Sequence, residues 1–275
     1  MLRRALAYGL SAGLTLTLAL TAAQPLAAAS VENLPIKSSV MGEGETIIFI
    51  HGWTCDESAW DAQVAHFSKT HRVVTLDLPG HGISGHPDKA DFSMDLFAAA
   101  VEAVRDEVGA EKVVLVGHSM GGAVIRQYAV NYPDQVAGLV AVDGPLDMRT
   151  MAGVNFGELT LEQREGMVRG MFVDGTKQEL REEILDVMLG TPEDTAHGAM
   201  NAMFDSDLQT DDVITAPAFS IAAGTSNFTF GEGQREVLTD WEYTSVPETG
   251  HFLMMEKPEE FNALLDGFLS DRAAF

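Results

Sequence analysis

The feature that most constrains this 275-residue chain is a short segment, residues 113–131, in which an apolar run gives way to a helical pattern across one serine. Residues 113–116 are all apolar, which is typical of a strand buried on both faces of a parallel sheet. Gly117-His118-Ser119-Met120-Gly121 follows at once, and apolar side chains then recur with helical spacing as far as residue 131. The segment predicts a strand, a sharp turn at Ser119 and a helix.

The G-x-S-x-G pattern has a physical reason in such a turn. The serine adopts a strained backbone conformation that lifts its hydroxyl above the end of the sheet. Larger side chains two positions to either side would collide, so Gly117 and Gly121 are required. The N-terminus of the following helix adds positive potential where a negative oxygen develops. The pattern predicts Ser119 as a nucleophile and the backbone N–H of Met120 as a donor to an oxyanion.

Strand and helix patterns alternate along most of the chain. Strands are predicted at residues 36–40, 46–50, 72–77, 112–116, 136–142, 217–223 and 241–246, and helices at 60–67, 93–106, 120–131 and 258–269. This alternation predicts an α/β fold, in which a mostly parallel central sheet has helices on both faces and right-handed crossovers.

The alternation stops between residues 145 and 212. Helical patterns at 161–172 and 178–189 replace the buried strands there. The segment is also rich in methionine, at Met148, Met151, Met167, Met171, Met188, Met200 and Met203. We interpret residues 145–212 as a helical cap inserted above the sheet.

The N-terminus has the pattern of a secretory signal peptide. Arg3 and Arg4 precede an uncharged apolar run over residues 5–23, and three alanines close the segment at 27–29. Cleavage is predicted after Ala29, with Ala28 and Ala23 as alternatives, and an uncleaved membrane anchor is the competing interpretation. The prediction is an exported protein, periplasmic or secreted, with a signal peptide at 1–29, core segments at 30–144 and 213–275, and the cap at 145–212.

Charge and cysteine content exclude several classes of partner. The chain has 17 basic and 41 acidic residues, a formal net charge of −24, which argues against binding nucleic acid or an anionic membrane surface. The acidity favours either a cationic or neutral substrate or simply a solvated acidic surface. Cys55 is the only cysteine, so no intramolecular disulfide is expected. No metal-ligand spacing is present, and no cofactor is implied.

Two further segments supply the groups that a serine nucleophile needs. Gly250-His251-Phe252 follows the last predicted strand, and a neutral imidazole at His251 can take the proton of a serine hydroxyl. The segment His51-Gly52-Trp53 follows the strand at 46–50, where the backbone N–H of Trp53 could complete an oxyanion hole together with that of Met120.

These motifs together resemble the α/β-hydrolase family over roughly residues 41–269. The resemblance rests on His51-Gly52-Trp53, on Asp77-Leu78-Pro79-Gly80-His81-Gly82-Ile83-Ser84, on Gly117-His118-Ser119-Met120-Gly121 and on Gly250-His251-Phe252, in the family's order. It implies an eight-stranded, mostly parallel sheet with a cap after the sixth strand.

One position departs from the family's pattern. The usual G-x-x-D reads Gly224-Thr225-Ser226-Asn227 here, so an amide occupies the position of the acid. An amide can orient an imidazole but cannot balance the charge of an imidazolium. Some relatives that this chain resembles take the acid from the end of the preceding strand, where Asp143 stands. We predict Asp143 as the acid, with Asn227, Glu232 and Asp240 as alternatives.

The sequence thus predicts a serine hydrolase that acts on a small molecule with an apolar portion, most simply a carboxylic ester. Hydrolysis of an amide, a lactone or a C–C bond by the same residues is an alternative. A different class is a ligand-binding protein of this fold with weak or no turnover, an interpretation that Asn227 favours.

Overall fold

A computed structural model describes residues 24–25, 29–154, 156–228 and 232–275. Most of the predicted signal peptide, namely residues 1–23 and 26–28, lies outside the described residues, so that segment remains a prediction.

A central sheet of eight strands organises the described chain. In chain order the strands are β1 (Gln24–Pro25), β2 (Ser30–Val31), β3 (Leu34–Pro35), β4 (Ser38–Met41), β5 (Thr46–Ile50), β6 (Arg72–Leu76), β7 (Val113–His118), β8 (Val136–Val142), β9 (Ala218–Ala223) and β10 (Trp241–Val246). The order across the sheet is β1-β4-β6-β5-β7-β8-β9-β10, and β2 and β3 form a separate hairpin. Within the eight-stranded sheet, the β1–β4 and β4–β6 pairs are antiparallel and the other five described pairs are parallel.

The described part of the chain contains eight α-helices. They are α1 (Asp61–Phe67), α2 (Met94–Glu107), α3 (Met120–Asn131), α4 (Leu161–Arg169), α5 (Gln178–Gly190), α6 (Glu193–Met203), α7 (Leu253–Glu256) and α8 (Pro258–Asp271). The N-cap residue of helix α2 is Ser93, as predicted, because the Ser93 hydroxyl accepts a hydrogen bond from the N–H of Leu96 at 3.0 Å. The predicted α/β fold with a mostly parallel sheet is confirmed.

The central strands are the best predicted elements because burial on both faces leaves an unbroken apolar run. Every residue of β5, β7 and β8 is buried. The strand predicted at residues 36–40 agrees less well with the structure, where β4 is Ser38–Met41. The structure begins β4 at Ser38, and Ile36 instead donates its N–H to Ala29 O at 2.7 Å beside the β2–β3 hairpin. Strand β7 also continues two residues past the predicted end, because Gly117 and His118 still pair with β8.

Helices α4, α5 and α6 lie between β8 and β9 in sequence, within the segment predicted as a cap. Contacts tie them to the loop after β5. The indole N–H of Trp53 donates to Ala196 O at 2.7 Å, and the Thr191 hydroxyl donates to Thr54 O at 2.8 Å. Arg164 of α4 lies over the Trp53 ring, 5.8 Å from its centroid. We keep the name cap for residues 145–212, whose boundaries remain a prediction.

Candidate active site

Ser119 stands in the left-handed region of backbone space, between β7 and α3. Its φ is 53° and its ψ is −118°, a strained conformation for a residue with a side chain. A Cβ at Gly117 would lie 2.2 Å from Gly121 O, so only glycine permits this turn. The local sequence therefore enforces the strained, half-buried serine at the end of β7 that the G-x-S-x-G pattern predicts.

The loop after β5 lies directly beside this serine. A Cβ on Gly52 would approach the Ser119 Cβ to 3.2 Å. Neutral His51 holds the loop, because its Nδ1 lies 2.8 Å from Gly52 O and its Nε2 accepts from Leu78 N at 3.0 Å. Burial lowers the pKa of His51 in spite of the nearby Asp77 carboxylate. Trp53 follows in this loop, and its N–H remains a predicted oxyanion donor together with that of Met120.

The structure brings His251 and Asp143 together across 108 residues of sequence. Nδ1 of His251 lies 2.6 Å from Oδ2 of Asp143, and the other carboxylate oxygen accepts from Ala223 N at 3.0 Å. The carboxylate therefore draws the imidazole hydrogen to Nδ1 and leaves Nε2 with a lone pair. Asp143 follows β8 with a φ of 42°, so a second residue of the site has a strained backbone.

The Asp143 carboxylate remains ionised in this setting. Burial favours its protonated form, but hydrogen bonds from His251, Ser226 and Ala223 outweigh burial and hold the pKa of Asp143 below its usual value of 3.8. An ionised carboxylate can stabilise an imidazolium, which a neutral amide cannot do.

Two of the other acid positions considered from the sequence, Asn227 and Asp240, have described side chains. Asn227 is exposed at the rim of the cavity described next, while Nδ1 of His251 is already occupied by Asp143. Asp240 pairs with Arg272. The side chain of Glu232 lies outside the described residues. Asp143 is therefore the acid that this geometry favours.

Ser119 and His251 line one cavity of about 420 Å³, a size typical of small-molecule sites. Six methionines of the cap face it, namely Met151, Met167, Met171, Met188, Met200 and Met203. Its buried floor also contains Trp53, Cys55 and Phe252, and its exposed rim contains Phe156, Gly166, Gly170, Thr225 and Asn227. No lysine, arginine or glutamate is among the described lining residues.

Sequence reasoning missed two residues that contact the His251–Asp143 pair. Ser226 donates to the Asp143 carboxylate, and nothing in its spacing singled it out. His118 lies 4.6 Å from the His251 ring between centroids, and its Nε2 donates to His251 O at 2.9 Å. Burial lowers the pKa of His118 to about 3, so this imidazole is neutral. Its place before Ser119 was the only available signal.

Along residues 29–154, 156–228 and 232–275, no helix combines the length and apolar character that crossing a bilayer requires. Within those same stretches, no group of three or more His, Cys, Asp or Glu side chains could hold a metal ion.

Comparison with known proteins finds an acetyltransferase component and an esterase among the proteins similar to this chain. The dihydrolipoyllysine-residue acetyltransferase component of the acetoin cleaving system of Cupriavidus necator is 28% identical over 256 residues, covering 86% of this chain and 67% of that protein. The pimeloyl-[acyl-carrier protein] methyl ester esterase of Aliivibrio salmonicida is 38% identical over 101 residues, covering 37% of this chain and 36% of that protein.

Among solved structures, Est816, titled an N-acyl homoserine lactone degrading enzyme, superposes with a TM-score of 0.74 at 26% identity. The match covers 88% of this chain and 99% of that one. A family model described as the alpha/beta hydrolase family matches residues 47–264, most of the chain. Because this match spans most of the chain, which also has the mostly parallel sheet described above, the chain belongs to the alpha/beta hydrolase family.

Proposed function

We propose that this hydrolase is a serine esterase, which cleaves carboxylic esters through an acyl-enzyme on Ser119. The observation that carries the proposal is that the strained serine and the His251–Asp143 pair line the same apolar cavity. The esterase among the relatives supports the same chemistry. A serine hydroxyl is a weak nucleophile by itself, and a neutral imidazole in this cavity supplies the base it needs.

The reaction has two halves. The Ser119 Oγ attacks the ester carbonyl carbon while Nε2 of His251 takes its proton, and the imidazolium is stabilised by Asp143. The negative oxygen of the tetrahedral intermediate accepts from the N–H groups of Trp53 and Met120. The imidazolium then protonates the leaving alcohol. In the second half Nε2 of His251 takes a proton from a water, whose oxygen attacks the acyl carbon. The imidazolium then returns this proton to Ser119 Oγ as the bond from Oγ to the acyl carbon breaks and the acid is released.

The cavity favours an uncharged substrate with an apolar portion. Methionine side chains are flexible and polarisable, so they adapt to chains of different shape. A carboxylate in the substrate would need a cationic partner, and the described lining offers no lysine or arginine. The polar rim residues Thr225 and Asn227 can contact the more polar end of such a molecule.

A lactone is a second candidate substrate. Est816, similar over 88% of this chain, is titled a lactone-degrading enzyme, and a lactone is an internal ester that the same steps would open. Hydrolysis rates measured for p-nitrophenyl esters from acetate to decanoate, beside N-acyl homoserine lactones of matched acyl length, separate the two. We expect turnover of the esters, and a lactone preference at equal chain length would reassign the substrate.

The experiment that tests the serine mechanism is labelling by a fluorophosphonate together with the burst of alcohol released from an activated ester. We expect one label per chain, on Ser119, and a burst of about one equivalent. Ser119→Ala, the matched control, should remain folded and lose both signals. A folded wild-type protein with neither signal would instead be a binding protein of this fold.

Export is part of the same proposal. The arginines at 3 and 4, the apolar run at 5–23 and the alanines at 27–29 support a cleaved signal peptide. Intact mass of the protein recovered from the periplasm or medium should correspond to a chain that begins at Ser30. Met1 retained on protein in the cytoplasm would overturn this part of the proposal.

A further inference from the structure

The catalytic histidine is held through its backbone as well as through its ring. Its N–H donates to Met171 O, in the cap, at 2.9 Å, and its carbonyl accepts from His118 Nε2, in the core, at 2.9 Å. The preceding residue must be glycine, because a Cβ on Gly250 would lie 2.4 Å from Met171 O. The peptide groups of His251 therefore sit between the core and the loop that joins α4 to α5.

The carboxylate of Glu256 adds two hydrogen bonds to this contact between the core and the cap. Oε2 of Glu256 accepts from Gly250 N at 2.6 Å, while Oε1 accepts from the hydroxyl of Thr176 at 2.8 Å. The Thr176 oxygen in turn accepts from Val173 N at 3.0 Å. Hydrogen bonds to an ionised acceptor are about twice as strong as neutral ones. Glu256 thus connects the residue before the catalytic histidine to residues 170–177, the loop between α4 and α5, which we call the cap loop.

The cap loop is itself braced, so it can act as a fixed support. The Arg181 guanidinium donates to the carbonyls of Thr176 and Val173, at 2.9 and 2.5 Å. It also lies over the Phe172 ring, 5.6 Å from the centroid, and that ring approaches Phe252 to 6.3 Å between centroids. Thr176 is only 6% exposed, which keeps water away from its bond to Glu256.

We propose that Glu256 is a positioning residue that locks the backbone of His251 to the cap, so that the general base is aligned only while the loop at 170–177 is seated. The inference rests on the proposed esterase function. Glu256 is not among the cavity-lining residues, so it acts through Gly250 and His251 rather than on the substrate. A displacement of the order of 1 Å in a catalytic group lowers turnover by about 100-fold, which is why this support matters.

The kinetic test compares three substitutions on a short-chain ester. Glu256→Ala should lower kcat roughly 10- to 100-fold with KM changed less than about threefold, because alignment is lost and binding is not. Glu256→Gln should recover most of kcat, since its amide oxygen can accept from Gly250 N and its NH2 can donate to the Thr176 oxygen. Glu259→Ala, on the exposed start of α8, is the matched control and should behave as wild type.

A fourth variant addresses the cap itself. Thr176→Val keeps the side-chain shape but removes the hydroxyl, so it should lower kcat several-fold with Glu256 intact. An unchanged kcat in Thr176→Val would overturn the coupling to the cap. Equal losses in Glu256→Gln and Glu256→Ala would replace positioning by an effect of charge, which also overturns the proposal.

A readout independent of turnover separates this proposal from the esterase assignment. The downfield proton resonance of His251 Nδ1–H reports its bond to Asp143 directly. It should persist in wild type, Glu259→Ala and Glu256→Gln, and broaden or disappear through exchange in Glu256→Ala. If the wild type hydrolyses no ester, the proposed function fails while this resonance still decides the role of Glu256. A resonance and kcat equal to wild type in Glu256→Ala would overturn it.

Discussion

The two walls of the cavity are built on opposite principles. On the sheet side, Ser119 and Asp143 have left-handed backbones fixed by fully buried strands, and the imidazole of His251 has its partner at 2.6 Å. On the cap side, the described lining is mainly methionine, with apolar and aromatic neighbours and backbone at two glycines. Reacting groups need fixed geometry, whereas a wall that only receives an apolar chain can remain adaptable.

Glycine makes the same distinction visible. At Gly117, on the sheet side, a Cβ would lie 2.2 Å from another backbone oxygen, so the turn cannot form with any other residue. At Gly166, on the cap side, a Cβ would meet nothing within 4 Å. The first glycine is needed for the turn, and the second leaves open space where the cavity meets solvent.

The sharpest test of the sheet-side wall is Asp143→Asn. Ala223 N–H would still bond the amide oxygen, so the amide NH2 would face Nδ1 of His251 and favour the wrong tautomer. We expect kcat on a short-chain ester to fall by roughly 10³–10⁴, about 4–5 kcal/mol, with little change in Tm. Asp240→Asn, at an acid paired with Arg272, is the control. Wild-type turnover in Asp143→Asn would remove Asp143 from the site.

The cap-side wall should respond in selectivity instead. Gly166→Leu places a side chain in open space at the rim, so we expect decanoate ester hydrolysis to fall roughly 10- to 100-fold while acetate hydrolysis is kept. Replacing a helical glycine should also raise stability by up to about 1 kcal/mol. Gly267→Leu, in α8 and likewise without neighbours at its Cβ, is the matched control. Equal loss for both esters would mean that the rim does not contact the chain.

The free energy of unfolding at acid pH should depend on His81, a histidine that burial keeps neutral in the folded protein. Burial lowers the pKa of His81 from 6.5 to about 3. Between those pH values the unfolded chain binds a proton that the folded chain does not, so stability falls as pH falls.

This single group should contribute about 1.4 kcal/mol per pH unit below pH 6.5. Urea unfolding of His81→Gln between pH 6.5 and 5 should therefore show a shallower loss of the unfolding free energy than wild type. Parallel curves for the two proteins would show that His81 is protonated in the folded state.

The smallest effect is expected at Asn227, which belongs to the rim. Asn227→Ala should lower kcat by about tenfold or less, because Asp143 already occupies Nδ1 of His251 and only a side chain at the rim is lost. Asn227→Asp introduces the family's usual acid and should not raise activity while Asp143 is present. Higher activity in Asn227→Asp, together with a silent Asp143→Asn, would transfer the role of the acid to this position.

Features of the site that depend on neighbouring residues were predictable from the sequence, whereas the identity of the acid depends on residues far apart in the sequence and was not. The sharp turn at Ser119 follows from residues within a few positions of it. The first and last residues of strands β8 and β10 also agree with the prediction. The acid did not follow in this way, because four positions kept the right chain order. Its choice depends on the turn at Asp143, with φ 42°, which aims the carboxylate at His251.

By itself the sequence determined the alternation of strands and helices, the strained serine and the histidine loop, since periodicity and turn glycines act over a few residues. Tertiary structure alone decided which carboxylate meets His251, that Ser226 and His118 support the pair, and that Glu256 reaches Thr176 across 80 residues. These contacts join segments whose approach depends on the packing of the whole sheet and cap, and no local pattern encodes that packing.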